Sequence, residues 1–177
     1  MAESDLVALP DGALEDVAAR VGASLLGSHD GTGLRLGIAC AQFNGGITMR
    51  LLDGALEALA EAGADRRDLT VAWAPGAFEL PVVARAFAHA GKVDAVVCLG
   101  AVIRGDTGHY DFVAGECASG IQQVQLATGV PVIFGVLTTD TLDQALVRSE
   151  PDQTNKGREA ALTAIEMVRL LRSAPLT

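Results

Sequence analysis

The stretch VDAVVCLGAVI, residues 93–103, is the longest apolar run of the chain and holds a single charged residue, Asp94. It is far shorter than the roughly 20 apolar residues that a membrane helix needs. A short, nearly continuous apolar run predicts a strand that is buried on both faces, as in a parallel sheet. We expect the strand itself over Val93–Leu99, with a loop at its carboxyl end.

Apolar runs and helical patterns alternate on both sides of this strand. Three further strands are predicted at Leu34–Ala39, Leu69–Ala74 and Val130–Leu137. Five helices are predicted around these strands. The first carries Ile47, Leu51, Ala55 and Leu59 and stops at Gly63, and the second runs from near Pro81 to Gly91. The third runs from a cap at Asp111 to about Thr128, the fourth runs from a cap at Thr139 or Asp140 to about Arg148, and the fifth carries Ala161, Ile165, Val168 and Leu171. This alternation predicts a three-layer α/β/α sandwich with a four-stranded parallel, flavodoxin-like sheet.

The first 32 residues differ from this regular pattern. Residues 11–26 have the spacing of a short helix, with Leu14, Val17, Val21 and Leu25 on one side, and Ser28–Gly33 has the composition of a loop. We therefore expect an N-terminal arm over residues 1–32, whose order the sequence does not fix, and a single domain over residues 33–177. The first five residues lack the basic and apolar regions of a signal peptide, which favours a cytoplasmic protein.

The charge balance excludes some classes of partner. Thirteen basic and 22 acidic residues give a formal net charge of −9. Such a surface repels the phosphates of nucleic acids and membranes, so neither is expected as a partner. The mean hydropathy of +0.33 is high for a chain without an apolar membrane span, and it favours burial of apolar surface between subunits.

The cysteines and histidines do not form a metal-binding pattern. Cys40, Cys98 and Cys117 lack CxxC spacing and lie in apolar or helical context, which predicts buried, reduced thiols. The three histidines are far apart along the chain. No metal is therefore predicted.

Ligands of parallel sheets bind outside the carboxyl ends of the strands, so the segments that follow the strands are candidates for the site. Four such segments are expected to converge: Gln42-Phe43-Asn44, Pro75–Glu79, Ala101–Tyr110 and, within the fourth strand, Phe134-Gly135. Together they contribute exposed aromatic rings, a glutamate and a histidine. An aromatic ring at a strand end is a suitable platform for a flat heterocycle.

One of these segments is also suited to an anion. Gly105-Asp106-Thr107-Gly108 is small and polar and precedes a predicted helix, so its backbone N–H groups can surround a phosphate. His109 would then lie beside that phosphate, where a histidine can transfer protons near neutral pH. The segment matches neither GxGxxG nor GxxxxGK[ST], which disfavours a dinucleotide fold and a P-loop.

Five longer motifs occur in order along the chain. They are Gln42-Phe43-Asn44, Pro75–Pro81, Gly100–Gly105 with His109-Tyr110-Asp111, Gly129–Thr139 and Asn155-Lys156-Gly157. With them the chain resembles the 6,7-dimethyl-8-ribityllumazine synthase family over roughly Gly31 to Leu171. The resemblance implies a transferase that acts without a cofactor in the penultimate step of riboflavin biosynthesis. Its substrates would be 5-amino-6-(D-ribitylamino)uracil and 3,4-dihydroxy-2-butanone 4-phosphate, and its products the lumazine, phosphate and water.

The resemblance also implies a role for particular residues. His109 would transfer protons, and Lys156 would be a further contributor. The pyrimidine and ribityl chain would be bound by Phe43, Ala77, Phe78, Glu79, Ala101, Val102, Ile103 and Phe134, and the phosphate by Asp106, Thr107 and Arg148.

Arg148 follows a predicted helix of about nine residues and would lie roughly 13 Å along its axis, away from the strand ends. Arg148 and Phe134 would therefore serve the site of a neighbouring subunit, and the resemblance implies a pentameric ring. A sixty-subunit shell and riboflavin synthase as a partner are alternatives that the sequence leaves open.

Several of these residues also have simpler structural interpretations. Glu79 could only offset a helix dipole, Arg104 is expected in a structural ion pair, and His89 is expected at the surface. Mainly packing roles are expected for Trp73, Phe78, Phe87, Tyr110 and Phe112. Asp106 and Gly108 depart from the family pattern, since one adds a negative charge beside the expected phosphate and the other loosens the loop.

Two hypotheses from other classes compete with an enzyme. A module that binds a lumazine or flavin would keep Phe43 and Phe134 without needing His109 or Arg148. A flavodoxin-like electron carrier would share the layers but leave His109 and Arg148 unexplained. The presence of all four residues favours the enzyme.

Overall fold

The computed structural model describes residues 9–173 of the chain. Four parallel strands pair in the order β2-β1-β3-β4. They are β1 (Leu36–Ala41), β2 (Leu69–Ala74), β3 (Ala95–Ile103) and β4 (Val132–Thr139). The helices are α1 (Ala13–Ala18), α2 (Gly45–Glu61), α3 (Leu80–His89), α4 (His109–Thr128), α5 (Leu142–Arg148) and α6 (Lys156–Leu171), with 3₁₀ turns at Arg66–Asp68 and Ala77–Glu79.

Helices cover both faces of the sheet, which confirms the three-layer α/β/α fold. On one face, Leu36 and Ile38 of β1 pack with Val97 of β3 against α2 and α6. On the other, Ala39 of β1 and Val96 of β3 pack against α3 and α4. Each large aliphatic side chain buried in this way contributes about 1.5–3 kcal/mol relative to an exposed one. The continuous apolar runs of the central strands follow from this burial on both faces.

Strand β2 has its predicted bounds, but the other three strands end later than the sequence pattern predicts. β3 continues to Ile103 because its pairing with β4 extends to the Ile103–Thr139 pair. Ala101, Val102 and Ile103 therefore belong to the strand, and the prediction that they form a loop is wrong. The apolar pattern is interrupted by Gly100, but the backbone ladder does not require a large side chain there.

Two helix starts also differ from the predicted ones. α4 begins at His109 rather than at an Asp111 cap, and Gly108 occupies its N-cap position. α5 begins at Leu142 because the hydroxyl of Thr141 accepts a hydrogen bond from the backbone N–H of Gln144, at 3.2 Å. Thr139, one of the two predicted caps, instead donates its hydroxyl to the carbonyl of Thr141 at 3.0 Å.

The predicted helix over residues 11–26 is mostly wrong. Only Ala13–Ala18 is helical, and within the described part of the chain none of its residues is buried. A single turn and a half without a packing partner is too short to be stable alone. The division into an arm over residues 1–32 and a domain over residues 33–177 stays a prediction.

The segment before β1 nevertheless lies against α6. Arg169 donates to the carbonyl oxygens of Asp30 and Thr32, at 2.7 Å each. Gly27 lies so close to the backbone of α6 that a Cβ atom on it would be 2.0 Å from the carbonyl oxygen of Glu166. A glycine is therefore required at this crossing. Within residues 9–173, no helix combines the length and apolarity that crossing a membrane would take.

Candidate active site

The carboxyl ends of β1, β2 and β3 lie together, at an edge that we call the rim (Gln42–Asn44, Pro75–Glu79 and Ala101–Tyr110). Phe43 follows β1, and its side chain is 72 % exposed. Its backbone N–H donates to the carbonyl of Pro75 at 3.0 Å, which ties the turn after β1 to the end of β2. Asn44 turns the chain into α2 with a φ of 56°, and its amide donates to the carbonyl of Ala101 at 2.9 Å. Three segments that are remote in sequence thus meet at one edge.

Glu79 stands next to Phe43 at the rim. A Cβ atom built on Gly76 would lie 3.3 Å from the carboxylate Oε2 of Glu79 and 4.0 Å from Cβ of Phe43. The carboxylate makes no hydrogen bond that caps α3, although Glu79 holds the N-cap position of that helix. Its side chain is exposed and available to a ligand, while Ala77 two residues earlier is buried.

Arg104 anchors the loop that follows β3. Its Nε donates to Asp140 at 2.9 Å, its Nη1 donates to Asp111 at 3.2 Å, and its guanidinium lies 4.0 Å from the centre of the Tyr110 ring. The hydrogen bond to Asp140 raises the pKa of Arg104 above its ordinary value. This confirms the predicted structural ion pair. Because the pairs are exposed, each contributes little by itself, but together they link β3, α4 and the loop before α5.

The loop presents Asp106, Thr107 and His109 to solvent. His109 is the first residue of the 20-residue helix α4, and its backbone N–H donates to the hydroxyl of Thr107 at 3.4 Å. The dipole at the start of α4 and the backbone N–H groups of the preceding loop favour an anion. Gly108 has an ordinary φ of −68° and open space around it, so the backbone does not require glycine there.

The aromatic residues with expected packing roles divide into two groups. Phe87 and Tyr110 are partly buried and pack against the core, as expected. Trp73, Phe78 and Phe112 are exposed by 44 %, 53 % and 70 %, so the packing interpretation is wrong for them within one chain. Trp73 lies on β2, whose outer edge has no neighbouring strand in the described chain. His89 is exposed, as predicted.

A cleft of about 390 Å³ lies elsewhere, along the free edge of β4. It is lined by β4 residues including Phe134, by Arg148 at the end of α5, and by Lys156 and Thr163 of α6. Phe134 is 40 % exposed within it. An aromatic ring beside two cations suits a ligand that carries both a ring and an anionic group.

Both cations of the cleft are held locally. Nη1 of Arg148 donates to the carbonyl of Gln144 in its own helix, at 3.0 Å. Lys156 forms an ion pair with Glu159, one turn further along α6. Glu159 also lines the cleft, and the sequence analysis missed it. Its position three residues after Lys156 on a predicted helix is the signal that could have found it.

The rim and the cleft are distinct places in one chain. Phe134 pairs with Cys98, which in turn pairs with Ala39, so Phe134 is two strands away from β1 and level with a residue four positions before Phe43. The prediction that Phe134 converges with Phe43 at one edge is therefore wrong within one subunit. The cleft contains Arg148 and no residue of the rim, in line with the expected position of Arg148. One chain thus carries two separate candidate half-sites, the rim and the cleft.

The cysteines take no part in either half-site. Burial raises the pKa of Cys40 and of Cys117 to about 12, and burial also raises the pKa of Cys98. All three thiols are free and protonated near neutral pH, as the sequence predicts. Among residues 9–173, no group of three or more histidine, cysteine, aspartate or glutamate side chains is arranged to hold a metal ion.

A flavodoxin-like sheet, with ligand-binding candidates at its strand ends and along its free edge, defines the class of this α/β protein. The particular family follows from comparison with known families. The model of the family described as 6,7-dimethyl-8-ribityllumazine synthase matches residues 33–172, and the chain belongs to that family of riboflavin-biosynthesis enzymes.

Proposed function

We propose that the chain condenses 5-amino-6-(D-ribitylamino)uracil with 3,4-dihydroxy-2-butanone 4-phosphate, and so performs the penultimate step of riboflavin biosynthesis. The products are 6,7-dimethyl-8-ribityllumazine, phosphate and water, which makes the enzyme a transferase that needs no cofactor. The observation that carries this proposal is the family match over residues 33–172. The two half-sites supply the chemical groups that the reaction requires.

The rim suits the pyrimidine substrate. The exposed ring of Phe43 offers a stacking surface, and the carboxylate of Glu79 beside it can accept hydrogen bonds from the ribityl hydroxyls, next to Ala77 and Phe78. The pairing of β1 with β3 stops at Cys40 and Leu99, although β3 continues to Ile103. Backbone groups alternate sides along a strand, so those of Ala101 and Ile103 face β1 while those of Val102 face β4. The carbonyl of Ala101 accepts from Asn44, and the backbone N–H of Ala101 and the backbone of Ile103 are thus left free of strand pairing and can bind the polar edge of a ring.

The loop after β3 suits the phosphate and the proton transfers. Backbone N–H groups at Asp106 and Thr107 precede the start of α4, where the helix dipole favours an anion. The exposed imidazole of His109 can move protons as the imine forms and phosphate leaves. The carboxylate of Asp106 must turn away from the bound phosphate, because like charges repel.

The cleft of a neighbouring copy completes the site. Phe134 would close the ring pocket, Arg148 would grip the phosphate with its planar guanidinium, and Lys156 would add a second cation. Holding the amine against the ketone in this way supplies much of the rate through positioning. The proposal therefore includes assembly into a homopentamer, with a sixty-subunit shell and binding to riboflavin synthase as extensions of it.

The direct test mixes the purified protein with both substrates. We expect lumazine absorbance to rise and phosphate to be released together, faster than in the spontaneous reaction. A rate no higher than the background without protein would refute the proposed activity. Light scattering on the same sample measures the mass of the assembly and separates a pentamer from a shell.

A further inference from the structure

The turn between α5 and α6 joins the two cations of the cleft, Arg148 at one end and Lys156 at the other. Asn155 lies in this turn and is fully buried. Its Oδ1 accepts hydrogen bonds from the backbone N–H groups of Gly157 and Arg158, at 2.8 and 3.2 Å, and so caps α6. Its Nδ2 faces the other way. The amide therefore connects α6 to structure outside that helix.

The Nδ2 group of Asn155 donates twice. One hydrogen bond goes to the carbonyl of Arg50 in α2, at 3.2 Å, and the other to the carbonyl of Glu150 in the turn, at 2.9 Å. With these, the side chain uses both donors and both acceptor positions of a carboxamide. A single buried group thus fixes α2, the turn and the start of α6 relative to one another.

Close packing leaves this connection little freedom. A Cβ atom on Gly54 of α2 would lie 2.4 Å from Oδ1 of Asn155, and one on Gly157 would lie 1.9 Å from the carbonyl oxygen of Leu51. Both positions therefore require glycine, Gly157 because the backbones of α2 and α6 touch there and Gly54 because the side chain of Asn155 packs against it. A longer amide at position 155 would not fit.

Arg50 holds the other end of the same turn. Its Nε donates to the carbonyl of Ser149 at 3.0 Å, and its Nη2 lies 2.9 Å from the carboxylate of Glu150. The buried hydroxyl of Ser149 donates to the carbonyl of Ala145 in α5, at 2.9 Å. The end of α5, which carries Arg148, is thus tied to α2 as well.

We propose that Asn155 is a positioning residue for phosphate binding, which acts by fixing Arg148 and Lys156 at the separation that one phosphate requires. The proposal rests on the proposed function, because that function supplies the phosphorylated substrate. Within residues 9–173, Arg148 and Lys156 are otherwise paired only with their own helices, through Gln144 and Glu159. The turn therefore decides where the two cations stand.

Asn155→Asp tests this proposal with almost no change in shape. The carboxylate can still accept the two hydrogen bonds that cap α6, but it cannot donate to the carbonyl groups of Arg50 and Glu150. We expect the KM for the butanone phosphate to rise about tenfold, with kcat and the KM for the pyrimidine changed less than about twofold. Ala86→Gly in α3 is the control for a general loss of stability, and it should leave both KM values unchanged.

A double variant separates positioning from a structural role. When Arg148 is already replaced by alanine, Asn155→Asp should raise the KM for the butanone phosphate by much less than it does in the wild type. On a logarithmic scale we expect more than about half of its effect to be lost, because the effects of residues that act together are not additive. Full additivity, or an equal rise in both KM values, would overturn the proposal. If Asn155→Asp does not fold, Arg50→Met replaces it, with an expected rise of about threefold in the same KM only.

Titration with inorganic phosphate provides a readout that needs no turnover. We expect the Kd for phosphate to be weaker in Asn155→Asp than in the wild type, and unchanged in Ala86→Gly. An inactive wild type that binds phosphate in this pattern would refute the proposed function and leave the positioning role standing. An active wild type whose phosphate Kd and KM do not respond to Asn155→Asp would refute the positioning role alone.

Discussion

The rim and the cleft place their functional groups by different means. At the rim, the functional groups lie on short loops that follow three parallel strands, and the sheet already holds the ends of these strands together. Exposed contacts such as the ion pairs of Arg104 only adjust the positions of the loops. At the cleft, two cations lie at the ends of separate helices, and the buried amide of Asn155 holds the turn between them.

The difference predicts different sensitivities. A group at a strand end tolerates loss of one surface contact, because the sheet ladder still fixes its position. A group at the end of a short helix depends on the contacts of one turn. We therefore expect the rim to respond mainly to loss of the reacting groups themselves, and the cleft to respond also to loss of their support.

The largest effect is expected at the rim, for His109→Ala. Removal of a proton-transfer group lowers kcat by about a hundredfold or more, while both KM values change little. The measurement is steady-state kinetics with each substrate varied in turn. His89→Ala, which removes an exposed histidine at the end of α3, is the matched control and should leave kcat unchanged. An unchanged kcat in His109→Ala would show that the rim does not hold the proton-transfer group.

The next effect is expected at the cleft, for Arg148→Ala. Loss of the planar cation should raise the KM for the butanone phosphate by about tenfold to a hundredfold, with a smaller change in kcat. Arg85→Ala in α3 removes another exposed arginine and serves as the control. An equal rise in the KM for the pyrimidine would contradict a phosphate-specific role.

A moderate effect is expected for Arg104→Met, which tests how the rim is supported. The variant loses the ion pairs to Asp111 and Asp140 but keeps the length of the side chain over Tyr110. Since exposed ion pairs are weak, we expect kcat/KM to fall only about threefold. At high salt the ion pairs of the wild type are screened, so the difference in kcat/KM between wild type and variant should be smaller there. A loss as large as that of His109→Ala would mean that the sheet alone does not position the loop.

The smallest effect is expected for Glu61→Gln, which removes an exposed carboxylate whose partner, Arg158 of α6, is mostly buried. Arg158 of α6 hydrogen-bonds to Glu61 and holds the pKa of that carboxyl below its ordinary value of 4.5. A lowered pKa in the folded state means that the pair stabilises the fold above about pH 4.5 and that this stability is lost as the pH falls below it. We expect the Tm of Glu61→Gln to lie about 2 °C or less below that of the wild type at pH 7.

The pH dependence provides the control for that variant. At pH 3 the difference in Tm should be smaller than at pH 7, because the protonated fraction of Glu61 in the wild type rises as the pH falls. A large difference in Tm at pH 7, or one that persists unchanged at pH 3, would contradict the view that buried hydrogen bonds rather than exposed charges support the cleft.

Much of the fold could be predicted because the central strands are buried on both faces. The apolar runs that begin near Leu34 and Val93 give strands for that reason, and the alternation with helices gives the layers. The order β2-β1-β3-β4 is the one expected of a flavodoxin-like sheet, but apolarity alone does not give it, because it does not say which strands are neighbours. The extension of β3 to Ile103 was missed because backbone pairing with β4 decides it.

The site was predictable only in part, for a related reason. Phe43 and His109 could be found because each follows a strand or begins a helix. Phe134 could be singled out through the family motif, but its distance from the rim depends on register, which the pattern does not contain. The proposed role of Asn155 depends on its contact with Arg50 of α2, which is not local in sequence, whereas Glu159 lines the cleft through a local pair with Lys156.

The central claim is that a complete site combines the rim of one copy with the cleft of another. It is tested most directly by unfolding Arg148→Ala and His109→Ala together and allowing them to reassemble. In a mixed ring, roughly a quarter of the sites combine an intact rim with an intact cleft, so we predict kcat/KM near a quarter of the wild-type value. Activity equal to the mean of the two separate variants would contradict the claim.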